Sequence, residues 1–243
     1  MLGEFKTEIV GISAEVAIAD EYGVAISADY RCRADERVIA MTRGVVREAF
    51  SKHNISVPVR HIAEGQNPID FVLKDNGTLS VKSNQRGLGK VAPQNVGQPT
   101  ALTYWTYFKD FADDDVSGDY KKKAAMFKRV SLARIDELLK IYWQNMFECD
   151  KLLHFYDFIN KNGGLNARPK YISFSKLESP NWEKDKFSFT QTAATWNESN
   201  TVKYCRRSIG EFQVHNNRDC FKFRFNMDSI ATLIAEGLKF ETI

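Results

Sequence analysis

Cysteine is scarce in this chain, long apolar runs are missing, and neither sign of charge dominates. Of 243 residues only four are cysteine, at 32, 149, 205 and 220. None forms a Cys-x-x-Cys pair, and Cys149 with nearby His154 lacks the remaining ligands of a zinc site. That pattern points away from a disulfide framework and towards free buried thiols in a reducing compartment. No apolar run approaches membrane-spanning length. The opening Met-Leu-Gly-Glu-Phe-Lys-Thr-Glu has no signal-peptide core, so a cytoplasmic location is expected. The 34 basic and 31 acidic side chains leave a formal charge of +3, which permits nucleic-acid binding without indicating it. Internal repeats and low-complexity tracts are absent too. What remains is an ordinary globular composition, 43% hydrophobic and 27% charged, long enough for one substantial core or two small ones.

Residues 6–22 read as a helix, because Ile9, Ile12, Val16 and Ala19 recur at helical spacing and Gly23 follows as a stop. Glu8 and Glu15 share one side of it. A second helix is expected over 35–52, with Val38, Met41, Val45, Ala49 and Phe50 inward. The Gly/Pro/Gln-rich stretch 86–99 reads as a loop into an aromatic helix bearing Tyr104, Trp105, Tyr107, Phe108 and Phe111, which suit a core or a dimer contact. The acidic run Asp113–Asp115 and the basic run Lys121–Lys123 flank a surface connection. The amphipathic stretch 121–161 predicts two helices. Alternation at 171–174, 187–190, 209–214 and 221–225 predicts strands, and a short helix is expected over 228–238.

The segment with most chemistry is Asn67-Pro68-Ile69-Asp70-Phe71-Val72-Leu73, Asp75-Asn76-Gly77, then Leu79-Ser80-Val81-Lys82-Ser83. It reads as two short strands and a tight turn. Asp-Asn-Gly suits either a two-residue Asn-Gly turn or a three-residue loop ending in a left-handed glycine. With the three-residue loop and Gly77 as bulge residue, Val72 opposes Ser80 and Asp70 opposes Lys82, on one sheet face. The two-residue turn would put Lys82 on the other face. A carboxylate and an amine side by side can bind a divalent cation and orient a water; they are also what an ordinary surface salt bridge uses.

Gly11-Ile12-Ser13-Ala14-Glu15-Val16-Ala17-Ile18-Ala19, followed by Pro68-x-Asp70 and Ser80-Val81-Lys82, resembles the PD-(D/E)xK nuclease superfamily, and within it a type II restriction endonuclease. The helix–hairpin part of the resemblance covers roughly the first 100 residues. It implies an α/β fold: a central mixed β-sheet flanked by helices, a helical middle segment and a β-rich C-terminal part. One domain over 1–243 is expected, with a core at 1–110, helices at 111–165 and a β-rich, DNA-recognising segment at 166–243. It further implies Asp70 as metal ligand, Lys82 assisting the attacking water, the Val81 carbonyl as another ligand, and Glu15 completing the set. The family's acidic residue two before the lysine is replaced here by Ser80, a poor Mg²⁺ ligand, so Glu15, Glu64 or Glu8 would have to supply the missing carboxylate. Mg²⁺ would be the cofactor, with no organic one, and duplex DNA the substrate, cut to 5′-phosphate ends by a homodimer.

Two polar stretches suit base and phosphate contact. Asn84, Gln85, Arg86, Lys90, Gln94, Asn95 and Gln98 follow the lysine strand; Lys203, Arg206, Arg207, Gln213, His215, Asn216, Asn217 and Arg218 occupy the late strands. Both also read as solvated polar surface. Lys222 and Arg224 suit phosphate contact at most, and Lys121–Lys123 a solvated helix start or, less simply, a backbone clamp. A repair or junction nuclease of the same core, and a non-catalytic DNA-binding protein with a degenerate core, are the competing functions.

Overall fold

The computed structural model describes residues 6–63, 67–112, 119–215 and 219–237. In chain order the elements are α1 (Thr7–Tyr22), α2 (Ala28–Arg31), α3 (Glu36–Lys52), β1 (Pro58–His61), β2 (Phe71–Leu73), β3 (Thr78–Ser83), β4 (Lys90–Val91) and α4 (Ala101–Tyr107). There follow α5 (Tyr120–Ala133), α6 (Ile135–Met146), β5 (Lys151–Tyr156), β6 (Lys170–Ser175), β7 (Phe187–Phe189), β8 (Ser199–Tyr204), β9 (Arg207–Val214), β10 (Phe221–Asn226) and α7 (Met227–Ala235). The fold is α/β: a mixed five-stranded sheet flanked by helices, with a β-rich C-terminal part. The chain divides into two compact units, one of residues 1–89 and 147–177, the other of 90–146 and 178–243.

The first unit is built on the sheet β1-β2-β3-β5-β6, in which only β3 and β5 run parallel. Val10 to Ala19 of α1 are almost all buried, so this helix is apolar all round, and it packs on β3 and α3. Gly23 ends it in the left-handed conformation (φ 69°), as its position after the apolar stripe predicts. Val10, Ala14, Ile18, Val45, Phe50, Phe71, Leu79, Val81, Leu153 and Phe155 form one core.

Two expectations are corrected here. The stretch 121–161 holds the two helices α5 and α6, but its end is the strand β5. Leu152, Leu153, His154 and Phe155 are all buried, and an interior strand buried on both faces carries no alternation to betray it. The hairpin loop has three residues, but they are Lys74, Asp75 and Asn76. Asn76 takes the left-handed position (φ 64°), its N–H donating to the Leu73 carbonyl at 3.0 Å, while Asp75 Oδ1 accepts the Gly77 N–H at 3.0 Å. The pairing is therefore Phe71 opposite Leu79 and Val72 opposite Thr78, so neither Val72–Ser80 nor Asp70–Lys82 is a directly opposed pair. The slip is two residues, which preserves the sheet face.

The second unit is an antiparallel sheet, β4-β10-β9-β8-β7. Phe221, Phe223 and Phe225 of β10 are buried, while Lys222 and Arg224 between them are half-buried. Phe127 of α5 stacks on Phe221 and Tyr142 of α6 on Phe223, each at 4.4 Å between ring centroids. Tyr104, Trp105 and Phe108 are buried, so the aromatic helix does serve the core; Tyr107 is exposed. Gly210 lies where a Cβ would stand 2.9 Å from the Arg224 carbonyl oxygen and 2.7 Å from the Phe223 ring, so that crossing admits only glycine.

None of the four cysteines forms a disulfide, but only Cys149 is buried; Cys32 is exposed and Cys205 and Cys220 are half-buried. Among the described residues no helix is long and apolar enough to cross a membrane.

Candidate active site

The first unit gathers Glu15, Asp70, Ser80, Val81 and Lys82, which lie far apart in sequence. Asp70 stands one residue before β2, buried to 4% exposure. Its Oδ2 accepts the Val81 N–H at 2.5 Å and the Ser80 hydroxyl at 3.3 Å, and Lys82 Nζ lies 4.0 Å away. Ser80 thus supports the Asp70 carboxylate. Burial pushes the Asp70 carboxyl up to about 7; Lys82 opposes that rise and the Glu15 charge adds to it.

Glu15 projects from the middle of α1 and is 7% exposed. Its Oε2 accepts the Tyr30 hydroxyl proton at 2.7 Å and meets His61 Nε2 at 2.9 Å. No hydrogen bond from a described residue falls on Glu15 Oε1 or Asp70 Oδ1. Each carboxylate is anchored through one oxygen, and among the described residues the other takes no hydrogen bond.

Tyr30 and His61 carry no signal in the sequence that marks them. Tyr30 sits in a four-residue helix, and His61 reaches the site only because β1 pairs it with Phe71, next to Asp70. His154 is also unforeseen. It pairs in parallel with Lys82 and is wholly buried, with Nε2 3.2 Å from Asn84 Nδ2. Burial, then the Lys82 charge, lowers its pKa to about 3, so it is neutral. Cys149 is pushed up to about 11, mainly by burial.

The other expected residues are spread more widely. Glu8 is exposed and ion-paired to Arg33. Glu64, Asn216, Asn217 and Arg218, like Asp113–Asp115, lie outside the described residues. The Asn84 amide donates to the Leu88 carbonyl at 2.5 Å. Arg86 and Gln94 are exposed and Gln85 is half-buried. In the second unit Lys90 and Arg224 both bond Glu211, at 2.6 and 2.7 Å. Arg207 pairs with Glu236, and Gln213 Nε2 lies 3.4 Å from the Ser199 hydroxyl. Arg206 is exposed, Lys203 half-buried, and the His215 carbonyl accepts the Tyr120 hydroxyl at 2.7 Å.

Among the described residues no group of three or more His, Cys, Asp or Glu side chains is placed to hold a metal ion. Mg²⁺ asks for less. It keeps several waters and is commonly held by one or two carboxylates together with substrate phosphate. Two neighbouring buried carboxylates, each with an oxygen left over, fit that requirement; they do not form a closed all-protein cage.

No protein-family model matches the chain, and no solved structure does. Over 241 residues it is 27% identical to the type II restriction enzyme CviAII of Paramecium bursaria Chlorella virus 1. The alignment covers 98% of this chain and 63% of that enzyme, so the chain spans less than two thirds of the relative's length. Nearly every residue of this chain, the Glu15–Asp70–Lys82 cluster included, therefore falls within a stretch similar to a type II restriction enzyme.

Proposed function

We propose that this protein is a Mg²⁺-dependent type II restriction endonuclease of the PD-(D/E)xK kind, hydrolysing duplex DNA at a short specific sequence. The observation that carries the reading is the convergence of Glu15, Asp70 and Lys82 in one buried cluster, in a chain similar over 98% of its length to a type II restriction enzyme. Asp70 and Glu15 would hold the cation, with the Val81 carbonyl as a further ligand and Glu64 as an alternative. When bound, Mg²⁺ supplies charge neutralisation at the scissile phosphate.

The protein's own groups do the rest. The Val81 N–H and the Ser80 hydroxyl fix Asp70. Lys82, only 11% exposed and with Asp70 as its nearby carboxylate, would assist the attacking water. Neutral His154 leaves the Lys82 charge unopposed from β5. A homodimer would match its two-fold axis to a palindromic site.

Incubation with a mixed-sequence plasmid, in Mg²⁺ and in EDTA, tests the reading. Discrete Mg²⁺-dependent fragments are expected. Cutting confined to branched junctions would indicate a junction nuclease, and binding without cutting a degenerate core. Lys82→Ala should slow single-turnover cleavage by about 10²–10⁴-fold with DNA affinity preserved.

DNA must also be gripped along its backbone. Helix α5 carries Lys121, Lys122, Lys123, Lys128 and Arg129 and no acidic residue. Tyr120, Lys121, Ala125, Lys128, Arg129 and Val214 line a cavity of about 550 Å³ along it. Lys128 is already engaged, its Nζ donating to the Trp196 carbonyl at 2.5 Å, so Lys121 is the cation on which the clamp reading is tested. Lys121→Ala should weaken cognate and non-cognate binding equally and lower the salt slope of log K by about 1. An unchanged slope would remove Lys121 from the interface.

A further inference from the structure

We propose that Tyr30 and His61 are positioning residues that hold the Glu15 carboxylate by one oxygen and so present the other to the divalent cation. This rests on the reading of Glu15 as a metal ligand.

A carboxylate in the buried middle of α1 is strongly unfavourable unless donors compensate it. Compensation alone would be served by donors shared between the two oxygens. Here both donors, from different elements, converge on Oε2: the Tyr30 hydroxyl from α2 at 2.7 Å and His61 Nε2 from β1 at 2.9 Å. An ionised carboxylate only accepts, so His61 meets it with a proton on Nε2. Oε1 receives no hydrogen bond from the described residues and is left for a ligand.

The two donors are themselves held. Their rings meet edge to face at 4.8 Å, and His61 packs edge to face on Phe71 at 5.0 Å. The His61 side chain is 2% exposed. Phe71 directly follows Asp70, and the Asp70 carbonyl accepts the Ile62 N–H at 2.8 Å. One packed chain thus runs from Tyr30 through His61 to the strand of the second carboxylate. It sets both carboxylates with respect to each other, the role outer groups play around metal ligands.

The test is Tyr30→Phe, which removes one hydroxyl and keeps the ring on His61. Mn²⁺ binding to the free protein, by calorimetry, is the first readout; the Mg²⁺ concentration for half-maximal cleavage is the second. Tyr30→Phe is expected to weaken Mn²⁺ about tenfold or more and to raise the Mg²⁺ requirement by a similar factor. DNA affinity measured in EDTA should stay at the wild-type value. In a Glu15→Gln background Tyr30→Phe should add nothing, because it acts through Glu15. His61→Gln, which keeps a donor, should bind Mn²⁺ far better than His61→Leu; this comparison serves if Tyr30→Phe fails to fold. Unchanged Mn²⁺ affinity, or the same loss in the Glu15→Gln background, would overturn the proposal while leaving the nuclease reading intact. A wild-type protein that neither binds Mn²⁺ nor cuts DNA would overturn both.

Discussion

Asp70→Asn is expected to abolish cleavage and, in the absence of metal at pH 8, to make the protein more stable. The two effects share a cause. Asp70 is buried, and its carboxyl is pushed up to about 7 from an ordinary 3.8. Between those values the folded state holds a proton that the unfolded chain has released. Above pH 7 the folded state must carry the buried charge, a destabilisation of roughly 4 kcal/mol at most. Asparagine keeps an oxygen for the Val81 N–H and removes the charge, so a gain of a few kcal/mol is expected from urea unfolding at pH 8 in EDTA. Activity moves the other way. Without the carboxylate the proposed cation would not be held, and a loss on the order of a thousandfold in single-turnover rate is expected from about 4 kcal/mol of lost transition-state stabilisation. This is the trade of stability for function common at catalytic sites. A variant less stable than wild type at pH 8 would show that Asp70 is not a strained buried charge.

The second large effect is the response of stability to acid. His154 is neutral in the folded state down to about pH 3, whereas the unfolded chain takes up its proton near 6.5. As pH falls between these values the unfolded state binds the extra proton, so stability is lost at about 1.4 kcal/mol per pH unit. Asp70 contributes with the opposite sign over much of the same range, so the wild-type curve alone is not informative. The difference between wild type and His154→Gln isolates His154. Unfolding free energies in EDTA at pH 7 and pH 5 should show wild type losing roughly 2 kcal/mol more than the variant. A difference that does not change with pH would mean that His154 titrates normally. The neutral imidazole matters for the site, because a protonated one would set a second cation beside Lys82.

Much of this site is legible in the sequence. The apolar run around Glu15 marks a buried helix, and a buried glutamate in such a helix asks for a reason. Pro-x-Asp and the lysine strand mark the hairpin. The register is less legible, because Asn76 and Gly77 are both able to take the left-handed turn position and only the folded loop selects Asn76. A slip of two residues still leaves Asp70 and Lys82 on one face, so the site survives the misplacement. Strand β5 escapes because its buried run has no period, and His154 escapes with it. Tyr30 and His61 escape for a different reason: they meet Glu15 only through the packing of α2 and β1, across 15 and 46 residues. The division into two units is hidden as well, since residues 90–146 are inserted between the parallel neighbours β3 and β5.

The proposed nuclease site depends on Asp70, which would hold Mg²⁺, and on Lys82, which would assist the attacking water. Its most direct test is digestion of one plasmid by wild type and Asp70→Asn side by side, each in Mg²⁺ and in EDTA. The expected result is discrete fragments from wild type in Mg²⁺ and intact plasmid in the other three reactions. Fragments from Asp70→Asn at the wild-type rate, or from wild type in EDTA, would contradict it.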